Sequence, residues 1–160
     1  QRHLAALPLF SDRVVRAVAV YDAQSFEVPL GELILELGTR GVTCVFPRVV
    51  RGSRELAFHP ASEDWARGPF GLREPPARAP ERPIDSIDIF LVPGVAFTLA
   101  GARLGRGGGY YDATLAKRNR DAVCIGVAFD CNVVPDLPMN DRDVWMDYVA
   151  TERGVFAARR

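Results

Sequence analysis

The chain has few cysteines, and none of them forms a pair typical of a metal or redox site. Cys44, Cys124 and Cys131 are its only cysteines, and the first two lie inside the apolar runs VTCVFP and AVCIGVAF. Free cysteines in such runs behave as small buried hydrophobic residues. We therefore expect neither a disulfide scaffold nor a zinc site, and a reducing cytoplasm is the expected compartment.

The chain also lacks an excess of charge and a long hydrophobic run. Lys+Arg and Asp+Glu number 20 each among 160 residues, so any basic site must be local and a nucleic-acid partner is not expected. No apolar stretch approaches a membrane span, and no charged-then-apolar leader is present. His3 and His59 are not spaced from other residues in a pattern typical of a catalytic site, so neither is expected to be catalytic. We expect a monomer that binds small molecules rather than nucleic acid or membrane.

Continuous apolar runs alternate with helical patterns along the chain. The runs end at Tyr21 or span residues 42–49, 87–97 and 122–130, while a helix is predicted after a Ser25 cap. Apolar runs without alternation are typical of strands covered on both faces. The pattern predicts an α/β fold: one mainly parallel sheet flanked by helices in a three-layer, Rossmann-like arrangement. The segment over residues 61–86, rich in proline and arginine, reads as an extended surface loop.

The string RLGRGGGYYD, from Arg103 to Asp112, follows the most hydrophobic of these runs. Successive glycine amides can form a concave nest of N–H donors, and a helix predicted over residues 110–121 would add its positive end. Arg103 and Arg106 could bind phosphate oxygens, and Asp112 is placed to hold a magnesium ion. The alternative is a glycine-rich turn with solvated arginines.

The longer string PGVAFTLAGARLGRGGGYYD, from Pro93 to Asp112, resembles the hallmark of the 5-formyltetrahydrofolate cyclo-ligase family, also called methenyltetrahydrofolate synthetase. The segments AVYDAQSFE, FGLREP, IGVAFD and VPDLPMNDRDVWMD resemble further family motifs, so nearly the whole chain is covered. The resemblance implies one cyclo-ligase-like domain over residues 1–160. It also implies ATP-dependent closure of 5-formyltetrahydrofolate to 5,10-methenyltetrahydrofolate, with release of ADP and phosphate.

The resemblance also implies roles for individual residues, with ATP as co-substrate, Mg²⁺ as cofactor and a folate that can carry a polyglutamate tail. Arg106 and Tyr111 are the implied catalytic residues, Asp112 and Asp143 the implied metal ligands. The implied substrate-binding residues are Asp22, Glu27 and Phe70. The implied ATP-binding residues are Arg103, Leu104, Gly105, Arg106, Gly107, Gly108, Gly109, Tyr110 and Tyr111.

Some of these residues have structural alternatives. Glu27 could be an acid in the first turn of the predicted helix, where the helix dipole favours it. Asp143 could belong to a solvated acidic loop with Asp141 and Asp147. Phe70 could pack within its own loop.

The chain departs from the family pattern at three places. Thr98 stands where the family usually has aspartate, and Leu30 stands where it has threonine. The family's first helix supplies a Lys and an Arg to the nucleotide, and QRHLAALPLF has no such pair. We expect these residues to precede Gln1. The alternatives are a non-catalytic nucleotide- or folate-binding homologue, and a sugar-phosphate isomerase or CoA-transferase relative on a similar sheet.

Overall fold

A computed structural model describes Leu4 and residues 14–159. Its strands, in chain order, are β1 (Ala17–Ala19), β2 (Thr43–Val49), β3 (Leu56–Pro60), β4 (Ala66–Arg67), β5 (Arg73–Glu74), β6 (Ile89–Val92), β7 (Ala96–Phe97), β8 (Arg103–Leu104), β9 (Val123–Val127), β10 (Tyr148–Thr151) and β11 (Gly154–Ala157). Within residues 14–159 the α-helices are α1 (Gly31–Thr39) and α2 (Tyr110–Leu115). Within the described part of the chain, no helix has the length and apolar character that crossing a bilayer requires.

Seven of the strands form one sheet in the order β11-β10-β9-β6-β1-β2-β3. The five inner strands, β10 to β2 in that order, pair in parallel, whereas β11 and β3 add antiparallel edges. The central parallel strands come from the continuous apolar runs, in which the side chains on both faces of the strand are apolar. This is expected for strands that are covered on both faces. The predicted mainly parallel sheet is confirmed.

Both faces of the sheet are buried. In β6, Ile89 and Leu91 enter one apolar cluster, whereas Phe90 and Val92 enter a second cluster. Successive side chains of a strand point to opposite faces, so these two clusters lie on the two sides of the sheet. α1 packs on the first through Leu33 and Leu37, and α2 on the second through Leu115. The three-layer arrangement is confirmed for the described residues.

Helix α1 begins later than the sequence predicts. α1 starts at Gly31, and the predicted Ser25 cap lies outside it, because residues 24–27 form a turn instead. In that turn the Glu27 carboxylate accepts a hydrogen bond from the Gln24 amide at 2.9 Å. The Glu27 side chain is therefore not in the first turn of a helix, and this structural alternative is wrong.

The segment over residues 61–86 is not the extended surface loop that its composition predicts. It contains the antiparallel pair β4–β5 and two single-turn 3₁₀ helices, Pro69–Gly71 and Ile84–Ser86. Glu74 and the two prolines that follow it are buried. The proline-rich composition reflects tight packing against the sheet as well as turns.

Between the sheet and the glycine string the chain makes a small hairpin. After β6, the strands β7 and β8 pair antiparallel, and the buried Thr98 closes the turn between them. The Thr98 hydroxyl oxygen accepts a hydrogen bond from the Ala102 amide at 3.1 Å, so its departure from the family pattern has a structural role here. α2 ends at Leu115 rather than near Asp121, which leaves it too short to carry a strong dipole.

Candidate active site

A cavity of about 520 Å³ opens at the carboxyl ends of the parallel strands. Tyr21 follows β1, Val49 ends β2 and Pro93 follows β6, and all three line one side of the cavity. The glycine string lines the other side. This is the place where ligands bind in open α/β sheets, as the sequence pattern predicts.

The cavity brings together almost all of the residues singled out from the sequence. Those that line it are Asp22, Glu27, Arg103, Leu104, Gly105, Arg106, Gly107, Gly108, Gly109, Tyr110, Tyr111, Asp112 and Asp143. Phe70 belongs to the 3₁₀ helix Pro69–Gly71, and its side chain lies outside the described part of the structure. The N-terminal Lys/Arg prediction falls on residues that are likewise outside it.

The geometry of the loop itself requires its glycines. Gly107 and Gly109 have φ angles of +84° and +67°, in the left-handed region that favours glycine. A Cβ on Gly105 would lie 2.8 Å from Nη1 of Arg103, and one on Gly108 would lie 2.8 Å from the Tyr110 ring. The loop therefore presents a bare backbone to the cavity, and side chains at these positions would distort it.

Arg103 lies beneath this loop and holds Asp112. Its Nη2 donates to both carboxylate oxygens of Asp112 at 3.0 and 2.9 Å, and the two side chains are only 4% and 19% exposed. Nη1 donates to the Pro93 carbonyl at 3.4 Å, and the guanidinium lies 5.6 Å from the Tyr111 ring centroid. The sequence predicts Arg103 as a phosphate ligand. In this structure its Nη2 is instead paired with both oxygens of Asp112, and its buried Nε has no hydrogen-bond partner among the described residues.

Arg106 bridges the cavity to the turn that contains Glu27. Its Nη2 lies 3.0 Å from Oε1 of Glu27, and its guanidinium lies 4.5 Å from the Phe26 ring centroid. The Arg106 side chain is 46% exposed, whereas that of Glu27 is 10% exposed. The implied phosphate-binding cation and the implied folate-binding carboxylate are therefore in direct contact across the cavity.

Asp112 and Asp143 lie on the same wall. The amide of Val144, the residue after Asp143, donates to Oδ1 of Asp112 at 3.2 Å. One oxygen of Asp143 accepts hydrogen bonds from the backbone amide and the side-chain amide of Asn140, at 2.8 and 2.7 Å. The described residues contain no cluster of three or more His, Cys, Asp or Glu side chains that could hold a metal. A cation here would need further oxygen ligands from a bound molecule or from water.

Two tyrosines in the cavity stay protonated. Burial raises the pKa of Tyr111 above its usual range; Arg103 opposes this shift and Glu27 adds to it. Burial also raises the pKa of Tyr21, with smaller contributions from Glu27 and Tyr111. The Tyr21 hydroxyl donates to the Val28 carbonyl at 2.9 Å. Tyr21 was missed from the sequence, although its position directly after a buried strand is a usable signal.

A buried carboxylate in the wall of the cavity was also missed. Glu74 lines the cavity with its side chain 4% exposed, and its Oε1 accepts from the Val49 amide at 3.2 Å. Its Oε2 lies 3.6 Å from Nη1 of Arg48. A Cβ on Gly68 would lie 2.0 Å from the carboxyl carbon. This ion pair ties the segment after β4 to the sheet.

Asp22, which also lines the cavity, is held by a fourth arginine. The Nε of Arg73 lies 3.2 Å from Oδ2 of Asp22, and the Arg73 guanidinium lies 5.0 Å from the Trp65 ring centroid. The Asp22 and Arg73 side chains are 35% and 60% exposed, so water screens this pair more than the Arg103–Asp112 pair. Arg73 is a further cavity residue that sequence reasoning did not identify.

Comparisons with known proteins identify the family of this chain. The model of the 5-formyltetrahydrofolate cyclo-ligase family matches residues 1–152. The 5-formyltetrahydrofolate cyclo-ligase of Mycolicibacterium smegmatis is 35% identical over 159 residues, covering 93% of this chain and 79% of the relative. The protein of that name from Escherichia coli K12 is 30% identical over 152 residues, covering 93% and 83% of the two chains.

One solved structure supports the same assignment, and a second shares the fold. The NMR structure of Aquifex aeolicus 5,10-methenyltetrahydrofolate synthetase superposes with a TM-score of 0.79 at 32% identity, covering 99% of this chain and 79% of that one. The 5,10-methenyltetrahydrofolate synthetase of Mycoplasma pneumoniae shares the fold, with a TM-score of 0.74 at 24% identity. By family model, by curated relatives and by structure, this chain belongs to the 5-formyltetrahydrofolate cyclo-ligase family.

Proposed function

We propose that this protein closes 5-formyltetrahydrofolate to 5,10-methenyltetrahydrofolate at the expense of ATP. The formyl oxygen takes the γ-phosphoryl group as the bond to ADP breaks. The folate's own nearby nitrogen then attacks the activated carbon and loses its proton, and phosphate leaves with the former formyl oxygen. Such a reaction needs two ligands in contact and charge neutralisation, but no protein nucleophile.

The observation that carries this proposal is the composition of the cavity at the strand ends. One wall consists of bare glycine backbone with Arg106, which suits a polyphosphate. The other wall consists of Tyr21, Phe46 and the Glu27 carboxylate, which suits a flat ring with N–H donors. The opposed chemistries of the walls support binding of a nucleotide and a folate side by side.

On the nucleotide side, Arg106 supplies positive charge to the phosphates, and Arg103 fixes the position of Asp112. Arg106 is half-exposed and its loop is bare, so its guanidinium can reach phosphate oxygens of a bound nucleotide. Arg103 is buried beneath the loop and fixes Asp112. The loop residues Leu104 to Tyr110 line the space around the phosphates. In a cavity that excludes water, these charges interact more strongly than they would in solution.

On the folate side, we propose that Glu27 accepts hydrogen bonds from the N–H donors of the pterin ring, with the backbone around Asp22 beside it and Phe70 as an aromatic wall. Tyr111 lies between the two halves. Its hydroxyl, whose pKa is raised by burial, is protonated and can donate a hydrogen bond to a bound ligand.

The two carboxylates on the wall beside the loop suit Mg²⁺ together with phosphate oxygens and water, because Arg103 already holds both oxygens of Asp112. Asp112 and Asp143 supply carboxylate oxygens to the same cavity, and Mg²⁺ usually binds one or two carboxylates together with phosphates and water. We propose these two residues as its protein ligands. When bound, the ion would neutralise charge on the phosphates.

The free thiols agree with a location in a reducing compartment. Cys44, Cys124 and Cys131 are all free in the described structure. Thiols persist in the cytoplasm, whereas oxidising compartments favour disulfides. We propose the cytoplasm as the place of reaction, with folates that can carry a polyglutamate tail among the substrates.

The proposal is tested by the absorbance of the methenyl product after mixing the protein with ATP, Mg²⁺ and 5-formyltetrahydrofolate. We expect product with the parent protein and with Arg120→Ala, a control at an exposed arginine outside the cavity. Arg106→Ala should weaken ATP binding by about 2 kcal/mol, since a charge-assisted contact is lost. Tight binding of both ligands without product would support a non-catalytic homologue instead.

A further inference from the structure

The Arg106–Glu27 ion pair places two residues with different proposed tasks in contact. Arg106 is the proposed phosphate ligand and Glu27 the proposed pterin ligand, and they lie 79 positions apart in the chain. Their side-chain atoms are 3.0 Å apart. Neither residue can make its full contact with a ligand while this ion pair persists.

The two partners are not equally fixed. Glu27 is 10% exposed, and its second oxygen accepts from the Gln24 amide at 2.9 Å, so its own turn holds it in place. Arg106 is 46% exposed and stands between Gly105 and Gly107, on a loop without bulky neighbours. Its guanidinium rests over the Phe26 ring, which is itself 55% exposed. Arg106 is therefore the partner that can leave.

The ion pair links the binding free energies of the two ligands. A nucleotide that draws Arg106 to its phosphates must first break the contact with Glu27. A folate that takes the Glu27 carboxylate must break the same contact from the other side. The ligand that binds first supplies the free energy needed to break the ion pair. The second ligand then binds to a residue that is already released from the ion pair. This is positive coupling, and it must be reciprocal.

We propose that transfer of Arg106 from Phe26 and Glu27 to the nucleotide phosphates couples the binding of the two substrates. In this device Phe26 and Glu27 hold Arg106 in a resting position, and the nucleotide exposes the folate-binding carboxylate. ATP then tightens the site for folate, and folate tightens it for ATP by the same factor. The inference rests on the proposed function, because it needs both ligands in this cavity.

The coupling is measured by titration calorimetry with Mg²⁺ and a non-hydrolysable ATP analogue, β,γ-methylene ATP, in the absence and presence of saturating 5-formyltetrahydrofolate. We expect the dissociation constant of the analogue to fall about twofold to fivefold when folate is bound, the range for a partly exposed ion pair. The reverse titration should give the same factor.

Glu27→Gln separates the ion pair from direct contact between the ligands. This variant keeps the shape but removes the charge, so the analogue alone should bind about threefold tighter than to the parent and the coupling factor should fall to about one. Coupling that arises from contact between the two bound ligands would survive this substitution. An unchanged coupling factor in Glu27→Gln therefore overturns the assignment to Arg106 and Glu27.

Phe26→Leu removes the ring under Arg106 and keeps the carboxylate. The analogue alone should bind this variant about twofold tighter, the effect of one exposed cation–π contact. Phe156→Leu is the matched control, since that ring is 36% exposed on β11 and does not line the cavity. Equal effects of the two substitutions would contradict the resting position.

The outcomes distinguish this inference from the proposed function. If each ligand binds and the parent protein shows a coupling factor of one or below, the inference is wrong and the proposed function stands. If neither ligand binds, the proposed function fails and the inference fails with it.

Discussion

Replacing Arg103 with methionine removes the guanidinium beneath the glycine loop and keeps a side chain of similar length. The guanidinium makes two hydrogen bonds to Asp112, at 3.0 and 2.9 Å, and the two side chains are 4% and 19% exposed. After the substitution, Asp112 keeps one hydrogen bond, from the Val144 amide at 3.2 Å. Its carboxylate would then be mostly buried with no cation beside it.

The expected loss of stability follows from these contacts. Breaking a fully buried ion pair by removing one partner costs about 3–5 kcal/mol, because the other charge is left uncompensated. The residual exposure of Asp112 and its remaining amide contact reduce this figure. We expect Arg103→Met to lower the free energy of unfolding by about 2–4 kcal/mol. For a chain of this size, this corresponds to a fall in Tm of roughly 5–15 °C.

A surface ion pair of the same length provides the control. Arg153 lies 3.0 Å from Asp130, but the two side chains are 72% and 31% exposed. Arg153→Met should therefore lower stability by about 0–1 kcal/mol. Both variants are compared with the parent by urea denaturation followed by circular dichroism. Equal losses in the two variants would refute the argument that burial makes the Arg103–Asp112 pair important.

Asp143→Asn should raise the Mg²⁺ concentration needed for half-maximal turnover. Asp141→Asn, at an exposed position outside the cavity, should leave this concentration unchanged. Overlapping Mg²⁺ titrations of the parent and Asp143→Asn would show that Asp143 is not a ligand. Burial raises the pKa of the Cys44 thiol to about 11, so alkylation by iodoacetamide should remain slow at pH 8 and accelerate only as the pH approaches that value. The exposed Cys131 is the internal reference in the same peptide map, and equal labelling of both thiols at pH 8 would contradict the burial. Because the folded pKa is raised, the stability contribution of Cys44 is present below the unfolded pKa and lost as the pH rises through about 11.

Local patterns in the sequence were sufficient for the sheet and for the location of the cavity. The apolar run over residues 42–49 corresponds to β2, Thr43–Val49, because a strand covered on both faces needs apolar side chains on both of them. The glycine string is equally local, since the left-handed backbone at Gly107 and Gly109 restricts these positions to glycine. A parallel sheet then places such a loop at the strand ends, where the cavity is found.

Only the tertiary structure decided which charges meet in that cavity. The Arg106–Glu27 pair joins positions 79 apart, and the Arg103–Asp112 pair turns an expected phosphate ligand into the support of a carboxylate. The burial of Glu74, within a segment whose composition is typical of a surface loop, depends on how that segment folds back onto the sheet. The spacing of residues along the chain predicts the type and position of one helix or strand at a time. Contacts between elements depend on the path of the whole chain, and so does the free energy with which each charge is buried or released.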